Sequence, residues 1–325
     1  MSFEINANHN SICNKYDAII FDIDGVLIDV TNSYNQTIKK TIQDILSNNF
    51  NISLVNLPID KLIDKFRFTG GFNNDIDTAY SIILTILYCK SINKNDINEI
   101  FVFIIDLLEK INNKGILSVE RELEKFGNIE DIKTKLEYPK DDNIISSVFN
   151  EIFYGPDLFK KQFNKNPTHY FDKPFINNDK IIIKEKTIQD LSKEFDGKLI
   201  LISGRSKVAA EFTLRELFDY FVKDACIFLE DEKREFAKPS TYALHRIFNK
   251  LNLKNAIYVG DSIEDLLMIE KFRDETNKTK IFFCGIYGTN TSSPEDLKRL
   301  FGLKEADIIV ENVNNLPNIL NNTKK

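Results

Sequence analysis

The amino-acid sequence predicts an α/β fold, with a doubly wound parallel sheet and an inserted all-helical domain. Short apolar runs rich in Ile, the pattern of strands buried on both faces, occur near the N-terminus and again through the C-terminal half. In the C-terminal half these runs alternate with segments of helical periodicity, as they do in α/β sheets. Between the first run and the later ones, apolar residues recur every three or four positions. A helical insert is therefore expected to split the sheet in sequence.

The predicted elements follow in chain order. The first strand lies within residues 16–23, and the all-helical insert spans residues 31–178, with its strongest apolar stripe from Ile97 to Leu108. Further helices are expected at Tyr242–Leu251 and Ile263–Phe272. The later strands are expected at Lys198–Ser203, Ala225–Leu229, Ala256–Gly260, Lys280–Cys284 and Asp307–Val310.

These elements make up a discontinuous, Rossmann-like core. The core comprises residues 12–30 and residues 179–311, which the insert separates in sequence. The segments at residues 1–11 and 312–325 are polar and rich in Asn, so they are expected to be flexible tails.

The composition excludes several classes of protein. The 325 residues include 43 Lys and Arg against 49 Asp and Glu, without a basic cluster, so no nucleic-acid partner is expected. Four Cys and three His are scattered without metal-ligand spacing, which excludes a zinc ribbon or a disulfide framework and favours a cytoplasmic location. Neither a signal peptide nor an apolar run of about 20 residues is found, so no membrane association is expected.

Two polar motifs follow the first two predicted strands of the core. Asp22 and Asp24 place two carboxylates at the carboxyl end of the first strand, where ligands bind in open α/β sheets. The alternative is a turn that only ends the strand. Ser203 and Gly204 lie between the second strand and a helix, and they offer a hydroxyl and a backbone N–H that suit a phosphate. The alternative for Ser203 is a helix N-cap.

Two further motifs complete the set. Lys238 follows the third strand of the core, and a solvated lysine is its alternative interpretation. Asp261 and Asp265 follow the fourth strand and add two carboxylates, which are oxygen ligands of the kind that Mg²⁺ prefers. Ser262 and Asp265 also have the spacing of a helix capping box. Because the carboxyl ends of parallel strands meet at one edge of a sheet, the four motifs are expected to form one site.

In this order, the four motifs resemble those of the haloacid dehalogenase-like (HAD) hydrolase superfamily. The insert resembles, in position and type, the helical (C1-type) cap of subfamily I. The resemblance implies that Asp22 is the nucleophile, which forms an aspartyl-phosphate, and that Asp24 is the general acid and base. It also implies that the phosphate is bound by Ser203, Gly204 and Lys238.

The resemblance further implies a Mg²⁺ cofactor, with a metal site made of Asp22, Asp24 through its backbone carbonyl, Asp261 and Asp265. Without a cation these carboxylates would repel one another and the phosphate. The family's dehalogenases lack an Asp at the position of Asp24, so its presence favours phosphoryl transfer. The implied function is a Mg²⁺-dependent phosphatase acting on a small phosphomonoester metabolite. The alternatives are a phosphosugar mutase of the same fold and a non-catalytic binding or regulatory module.

Candidate substrate contacts lie in the insert and after the second strand. Residues 67–75 contain a Gly-Gly turn and polar donors before a helix, and Arg67, Asn73 and Asn74 are the candidates there. The alternative for this segment is a helix-entry turn. Arg205 is a further candidate anchor, with an outward salt-bridging arginine as the competing interpretation. The expected partner is a small phosphorylated metabolite, and the protein is expected to be a monomer or a homodimer.

Overall fold

The computed structural model divides the chain into two compact units. The core unit consists of Met1–Val30 and Asp179–Lys325, and the helical unit consists of Thr31–Asn178. The structure describes residues 3–5, 16–53, 56–72, 74–140, 143–277, 279–289, 294–304 and 306–322.

The strands of the described residues all belong to the core unit. They are β1 (Phe3–Ile5), β2 (Ala18–Phe21), β3 (Ile28–Asp29), β4 (Lys180–Ile181), β5 (Leu199–Ser203), β6 (Ile227–Phe228), β7 (Asn255–Gly260), β8 (Lys280–Ile286) and β9 (Ile308–Val310). Seven of them form one sheet in the order β1-β9-β8-β7-β2-β5-β6, and β3 pairs with β4. The six strands from β9 to β6 run parallel, and β1 joins β9 antiparallel at the edge. The predicted α/β fold is confirmed.

The order of the parallel strands indicates where a ligand binds. Counted along the chain, the six parallel strands lie in the order 3-2-1-4-5-6, which is that of a Rossmann-like sheet. The winding direction reverses between β2 and β7, and ligands of such sheets bind beyond the carboxyl ends of the strands at this switch point. All four residues of β2 are apolar and buried, as expected of a parallel strand covered on both faces.

The helical unit contains no strand among its described residues, in agreement with the predicted insert. Its helices are α1 (Tyr34–Phe50), α2 (Ile59–Phe68), α3 (Asp75–Ser91), α4 (Ile97–Leu108), α5 (Ile116–Glu124), α6 (Glu130–Leu136) and α7 (Ile144–Phe163), which is interrupted at Gly155. Every residue of α3 from Asp77 to Cys89 is buried, and α1, α4, α5, α6 and α7 pack around this helix. A helix buried on all sides forms the centre of the unit.

The Gly-Gly turn of the sequence packs against a third glycine of the helical unit. A Cβ atom on Gly71 would lie 2.6 Å from the backbone nitrogen of Gly115, and one on Gly115 would lie 2.5 Å from the backbone oxygen of Gly71. A side chain could rotate away from such a contact, whereas backbone atoms cannot. Both positions therefore need glycine unless the backbone moves.

Gly71→Ala is expected to lower the free energy of unfolding by about 3 kcal/mol, the upper end of the usual range for overpacking. Gly70→Ala is the matched control. A Cβ atom on residue 70 would meet nothing within 4 Å. Only the backbone φ of +73° disfavours alanine there, and it lowers the free energy of unfolding by about 1 kcal/mol. Urea denaturation followed by circular dichroism measures both variants. Equal losses of stability would contradict the packing argument.

The described helices of the core unit are α8 (Glu185–Glu194), α9 (Lys207–Leu214), α10 (Tyr242–Leu251), α11 (Ile263–Glu275), α12 (Pro294–Leu303) and α13 (Leu316–Asn322). The bounds of α10 are those predicted, and α11 extends the predicted helix by one turn. Ala243, Leu244, Ile247 and Phe248 of α10 join the buried core beside the sheet. In the part of the chain that is described, no helix combines the length and apolar character that crossing a membrane requires.

The structure departs from the predicted flexible tails at both ends of the chain. Strand β1 lies in the predicted N-terminal tail and pairs with β9. In the predicted C-terminal tail, helix α13 buries Leu316, Ile319 and Leu320. These three residues have the three- and four-residue spacing of one helix face, so their burial holds the segment in place despite its many Asn.

Candidate active site

Asp22 and Asp261 lie at the switch point of the sheet. Strand β2 pairs with β7 in parallel register, with Phe21 opposite Val259. The ladder continues one residue further, because the Asp22 N–H donates to the Val259 carbonyl at 2.9 Å. Strand β7 ends at Gly260, so Asp261 follows at the same edge. Neighbouring strands thus bring together two carboxylates that are far apart in sequence.

Lys238 joins these carboxylates from the segment that follows β6. Its Nζ lies 2.9 Å from Oδ2 of Asp22 and 2.7 Å from Oδ1 of Asp265, and its side chain is only 1% exposed. Burial by itself lowers the pKa of Lys238, but attraction to Asp22 and Asp265 outweighs burial and raises that pKa above its ordinary value of 10.5. Lys238 is therefore a buried, fixed positive charge, and the interpretation as a solvated lysine is wrong.

Asp265 holds Lys238 in place. Besides Lys238, its Oδ1 accepts from the Tyr258 hydroxyl at 2.6 Å, and its Oδ2 accepts from the Oγ and N–H of Ser262 at 2.7 and 3.2 Å. The Ser262 Oγ accepts from the Asp265 N–H in return, which forms the predicted capping box. Gly260 permits this close approach, since a Cβ there would lie 2.6 Å from Oδ2 of Asp265. The acceptor positions of the Asp265 carboxylate are thus filled.

The acidic cluster carries more negative than positive charge. Oxygens of Asp22, Asp261 and Asp265 lie within 4.8 Å of one another. When ionised, these three carboxylates minus the one ammonium of Lys238 leave two negative charges, which is the charge that one divalent cation balances. Carboxylate oxygens at this spacing, with this excess charge, fit a divalent metal ion.

The pKa values of the cluster reflect the same imbalance. Burial, which Lys238 only partly offsets, raises the pKa of Asp22, and repulsion from Asp265 adds to the effect. The Asp261 side chain is partly exposed, but desolvation by the surrounding atoms, together with repulsion from Asp22 and Asp265, raises its pKa well above the ordinary 3.8. A bound cation would favour the ionised forms of these carboxyls.

Ser203 ends β5, the strand next to β2, so it lies at the same edge of the sheet as Asp22. The side chain is buried, and its Oγ accepts from the Arg205 N–H at 3.2 Å. The following helix, α9, is capped by Ser206 instead, whose Oγ accepts from the Ala209 N–H at 3.1 Å. The N-cap alternative for Ser203 is therefore wrong.

Two carboxylates accept from the N–H groups of the N-cap and of the first residue of α9. The Ser206 N–H donates to Oε2 of Glu230 and the Lys207 N–H donates to Oδ2 of Asp231, both at 2.9 Å. These groups are thus already paired with an anionic partner. Gly204, which precedes them in the turn, is exposed and stays the predicted backbone donor to a phosphate.

Arg205 is enclosed in the core unit and is the cation beside Asp24. Its side chain is 0% exposed; Nε and Nη2 lie 2.9 and 2.8 Å from Oδ1 of Asp24, and Nη1 lies 2.7 Å from Oδ2 of Asp179. The interpretation as an outward salt-bridging arginine is wrong, because the two carboxylate partners found among the described residues lie inside this unit. A fully enclosed guanidinium does not reach a substrate, so the structure also contradicts the expected substrate anchor.

Arg67 and Asn74 belong to the helical unit. Nη2 of Arg67 lies 2.9 Å from Oδ1 of Asp75. The Asn74 side chain accepts from the Ile76 N–H at 2.9 Å and caps α3. Both contacts favour the helix-entry turn as the interpretation of this segment. Asn73 lies outside the described residues.

Sequence reasoning missed Glu264, a buried carboxyl in the first turn of α11. Its Oε1 has no hydrogen-bond partner within the described part of the chain. Burial raises the pKa of Glu264 to about 7. The sequence carries no sign of this burial, because an acidic residue in the first turn of a helix is commonly exposed and stabilised by the helix dipole.

Glu264→Gln is expected to raise the free energy of unfolding by roughly 1–3 kcal/mol at about pH 8 in EDTA. The folded protein holds the Glu264 proton up to about pH 7, whereas the unfolded chain releases it near the ordinary pKa of 4.5. The folded state therefore binds more protons in this window, and stability falls as the pH rises through it. Urea titrations across the window measure the change. Glu270→Gln, at a half-buried position of the same helix, is the control, and equal effects would contradict the prediction.

A family model for haloacid dehalogenase-like hydrolases matches residues 16–273. The matched stretch includes all four motifs and the whole helical unit. It confirms the family predicted from the motifs. A search of curated proteins found no match to the sequence.

Solved structures share this fold at low sequence identity. Phosphatase Tt82 from Thermococcus thioreducens is 22% identical, with a TM-score of 0.56, over 87% of this chain and 98% of that one. A predicted phosphoglycolate phosphatase from Haemophilus somnus 129pt is 12% identical, with a TM-score of 0.50, over 94% and 98%. Since the family model spans most of the sequence and its fold recurs in these structures, the chain belongs to the haloacid dehalogenase-like hydrolase family.

Proposed function

We propose that the protein is a Mg²⁺-dependent phosphatase that hydrolyses a small phosphomonoester through an aspartyl-phosphate on Asp22. The observation that carries the proposal is the contact of Lys238 with Asp22 and Asp265, at 2.9 and 2.7 Å, at the switch point of the sheet. This contact places a carboxylate beside a fixed cation at the point of the sheet where ligands bind in folds of this kind. The names of two similar structures, a phosphatase and a predicted phosphoglycolate phosphatase, agree with this proposal.

Asp22 is the proposed nucleophile because both oxygens of its carboxylate are held. Its Oδ1 accepts from the Ile23 N–H at 2.7 Å, and its Oδ2 contacts Lys238. A carboxylate that is already oriented loses less freedom when it attacks in line. Its attack forms a P–O bond to Asp22 and breaks the bond from phosphorus to the leaving oxygen, which keeps the electron pair.

Asp24 is the proposed general acid and base. In the first step it gives a proton to the leaving oxygen, which departs as an alcohol. In the second step it takes a proton from the water that attacks phosphorus, so that inorganic phosphate leaves and Asp22 is a carboxylate again.

Ser203, Gly204 and Lys238 are proposed to bind the phosphoryl oxygens through the hydroxyl, the backbone N–H and the ammonium.

Asp22, Asp261 and the backbone carbonyl of Asp24 are proposed to hold the Mg²⁺ ion. When bound, the ion would polarise a phosphoryl oxygen as a Lewis acid and balance the charge of the acidic cluster. Asp265 is better suited to positioning Lys238 than to binding metal, since its acceptor positions are already filled.

The proposal is tested by incubating the protein with p-nitrophenyl phosphate and a panel of phosphorylated metabolites, with Mg²⁺ or with EDTA. Release of inorganic phosphate is expected with Mg²⁺ and is expected to stop in EDTA. Two results would contradict a phosphatase. Products that retain the phosphate, formed only with a bisphosphate activator, would indicate a mutase, and binding without turnover would indicate a regulatory module.

The helical insert is proposed to act as the cap that selects the metabolite. The protein is further proposed to act in the cytoplasm, as a monomer or a homodimer. Arg67, Asn73 and Asn74 are the insert residues proposed to contribute to this selection. Replacement of Arg67 by Ala, compared across the same panel, is expected to change the ranking of KM among substrates rather than to abolish turnover.

A further inference from the structure

We propose that the exposed face of helix α4 is a self-association surface, on which the same face of a second copy of this chain packs in antiparallel orientation. Helix α4 spans Ile97–Leu108 and belongs to the helical unit, whereas the acidic cluster belongs to the core unit. The surface is therefore separate from the proposed active site, and its role does not depend on the proposed function.

Helix α4 is apolar well beyond the face that it buries. Only Asn98, Glu99 and Asp106 are polar among its twelve residues. The buried residues are three, Ile100, Ile104 and Leu107. The other apolar residues are all partly or largely exposed, namely Ile97, Phe101, Val102, Phe103, Ile105 and Leu108. A helix that is apolar on every side is normally buried on every side, so the exposed apolar face of α4 indicates a partner.

Four residues form a line along this exposed face. Asn98, Val102, Ile105 and Glu109 follow one another at spacings of four, three and four positions, which is the spacing of a coiled-coil seam. At 3.6 residues per turn, the line lies on the side of the helix opposite to its buried residues. Val102 is 55% exposed, and Asn98 and Glu109 are exposed as well. The seam thus has an apolar middle and two polar ends.

The seam is complementary to itself about a two-fold axis. In an antiparallel pair centred between Val102 and Ile105, Val102 of each copy packs against Ile105 of the other, and Asn98 of each copy lies opposite Glu109 of the other. The Asn98 amide then donates to the Glu109 carboxylate, which also lies beside the N-terminal end of the opposite helix, where a negative charge is favourable. A parallel pair would bring Glu109 against Glu109. The pattern therefore selects the antiparallel arrangement.

The charges on this face favour a second copy over a lipid surface. Glu99, Asp106 and Glu109 are exposed, and α4 contains no Lys or Arg, so anionic headgroups would repel the helix. In the antiparallel pair, Glu99 lies opposite Leu108 and Asp106 lies opposite Phe101. Two copies can thus cover their apolar residues without placing one carboxylate against another.

Sedimentation velocity of the full chain, with a reductant present, tests the association over roughly 5–500 µM, because an interface of one helix per subunit is at the small end of specific interfaces. The sedimentation coefficient of the wild-type protein is expected to rise with concentration from that of a monomer toward that of a dimer. Val102→Glu is expected to weaken dimerisation by about 30-fold or more, because it buries a carboxylate from each copy at the centre of the seam.

Leu117→Glu is the matched control, because Leu117 is 54% exposed and lies on α5 of the same unit, away from the seam. Its dimerisation is expected to stay within about twofold of wild type, as for other surface substitutions outside the interface. Circular dichroism is expected to show that both variants fold.

The double variant Asn98→Cys/Glu109→Cys tests the orientation, and it does so even if Val102→Glu fails to fold. Within one helix these positions are about 16 Å apart, which is too far for a disulfide. After mild oxidation and digestion, mass spectrometry is expected to find a link between position 98 and position 109, which must join two copies. Links of 98 to 98 and of 109 to 109 would indicate a parallel pair and would overturn the inference.

Three other results would overturn the inference as well. One is a wild-type protein that stays monomeric over the whole concentration range, and another is a dimer that Val102→Glu leaves intact. The third is a monomeric wild-type protein that co-sediments with vesicles of phosphatidylcholine and phosphatidylserine and loses this binding in Val102→Glu. A lipid surface would then be the occupant of the exposed face.

Discussion

Asp22→Asn is expected to abolish phosphomonoester hydrolysis, with a loss of roughly 10⁴-fold or more in kcat/KM. An amide is a poor nucleophile, so the P–O bond to residue 22 does not form. The substitution also removes one of the two carboxylates that orient Lys238, at 2.9 Å, and one proposed ligand of Mg²⁺. Release of inorganic phosphate from p-nitrophenyl phosphate, followed over hours at high enzyme concentration, measures the residual rate.

The loss should not arise from unfolding. Burial raises the pKa of Asp22, so the charged carboxylate is unfavourable in the metal-free protein. The Asp22→Asn variant carries a neutral side chain there, and it is therefore expected to unfold at the same temperature as wild type or a higher one, in EDTA at about pH 8. Asp17→Asn is the matched control at the other end of β2. Oδ2 of Asp17 accepts from the Lys254 and Asn255 N–H groups at the amino edge of the sheet. Because this edge lies opposite the proposed active site, turnover by Asp17→Asn should be unchanged. If kcat/KM of the Asp22→Asn variant were within about tenfold of the wild-type value, Asp22 would not be the nucleophile.

The fold could be predicted from the sequence where each element carries its own pattern. Helices α4 and α10 have the predicted bounds, Ile97–Leu108 and Tyr242–Leu251, because their apolar residues repeat with helical spacing. The C-terminal segment was mispredicted because Leu316, Ile319 and Leu320 are few among many polar residues. A short helix of this kind is stabilised by tertiary packing, which local composition does not reveal.

The site could be predicted only as far as strand ends determine it. Asp22 and Asp261 follow neighbouring parallel strands, so their meeting is a consequence of the fold. The burial of Arg205 could not be predicted, because its partners Asp24 and Asp179 are 181 and 26 residues away in sequence. An arginine after a Ser-Gly turn has no local mark of burial. Contacts between distant side chains decide whether such a residue faces solvent or a carboxylate.

Lys238→Met is expected to lower the free energy of unfolding by about 3–5 kcal/mol in EDTA at about pH 8, and to abolish turnover. Methionine fills similar space but leaves Asp22 and Asp265 without the ammonium that both contact. The pKa of Lys238 is raised above its ordinary 10.5, so its contribution to stability is complete at this pH and declines as the pH rises from about 10.5 through the folded-state pKa. Lys233→Met, an exposed lysine of the same segment, is the matched control and should change stability by less than about 0.5 kcal/mol.

Two further measurements separate charge from packing at this position. The double variant Lys238→Met/Asp265→Asn should recover part of the lost stability, because one of the two unpaired carboxylates is then neutral, while turnover stays abolished. Mg²⁺ should also reduce the deficit of Lys238→Met, since a cation at the cluster of Asp22 and Asp261 supplies part of the missing charge. If Lys238→Met were as stable as wild type, or if neither change restored stability, the buried ammonium would not be what balances the carboxylates. A phosphate site built on charge at the switch point would then lose its main support.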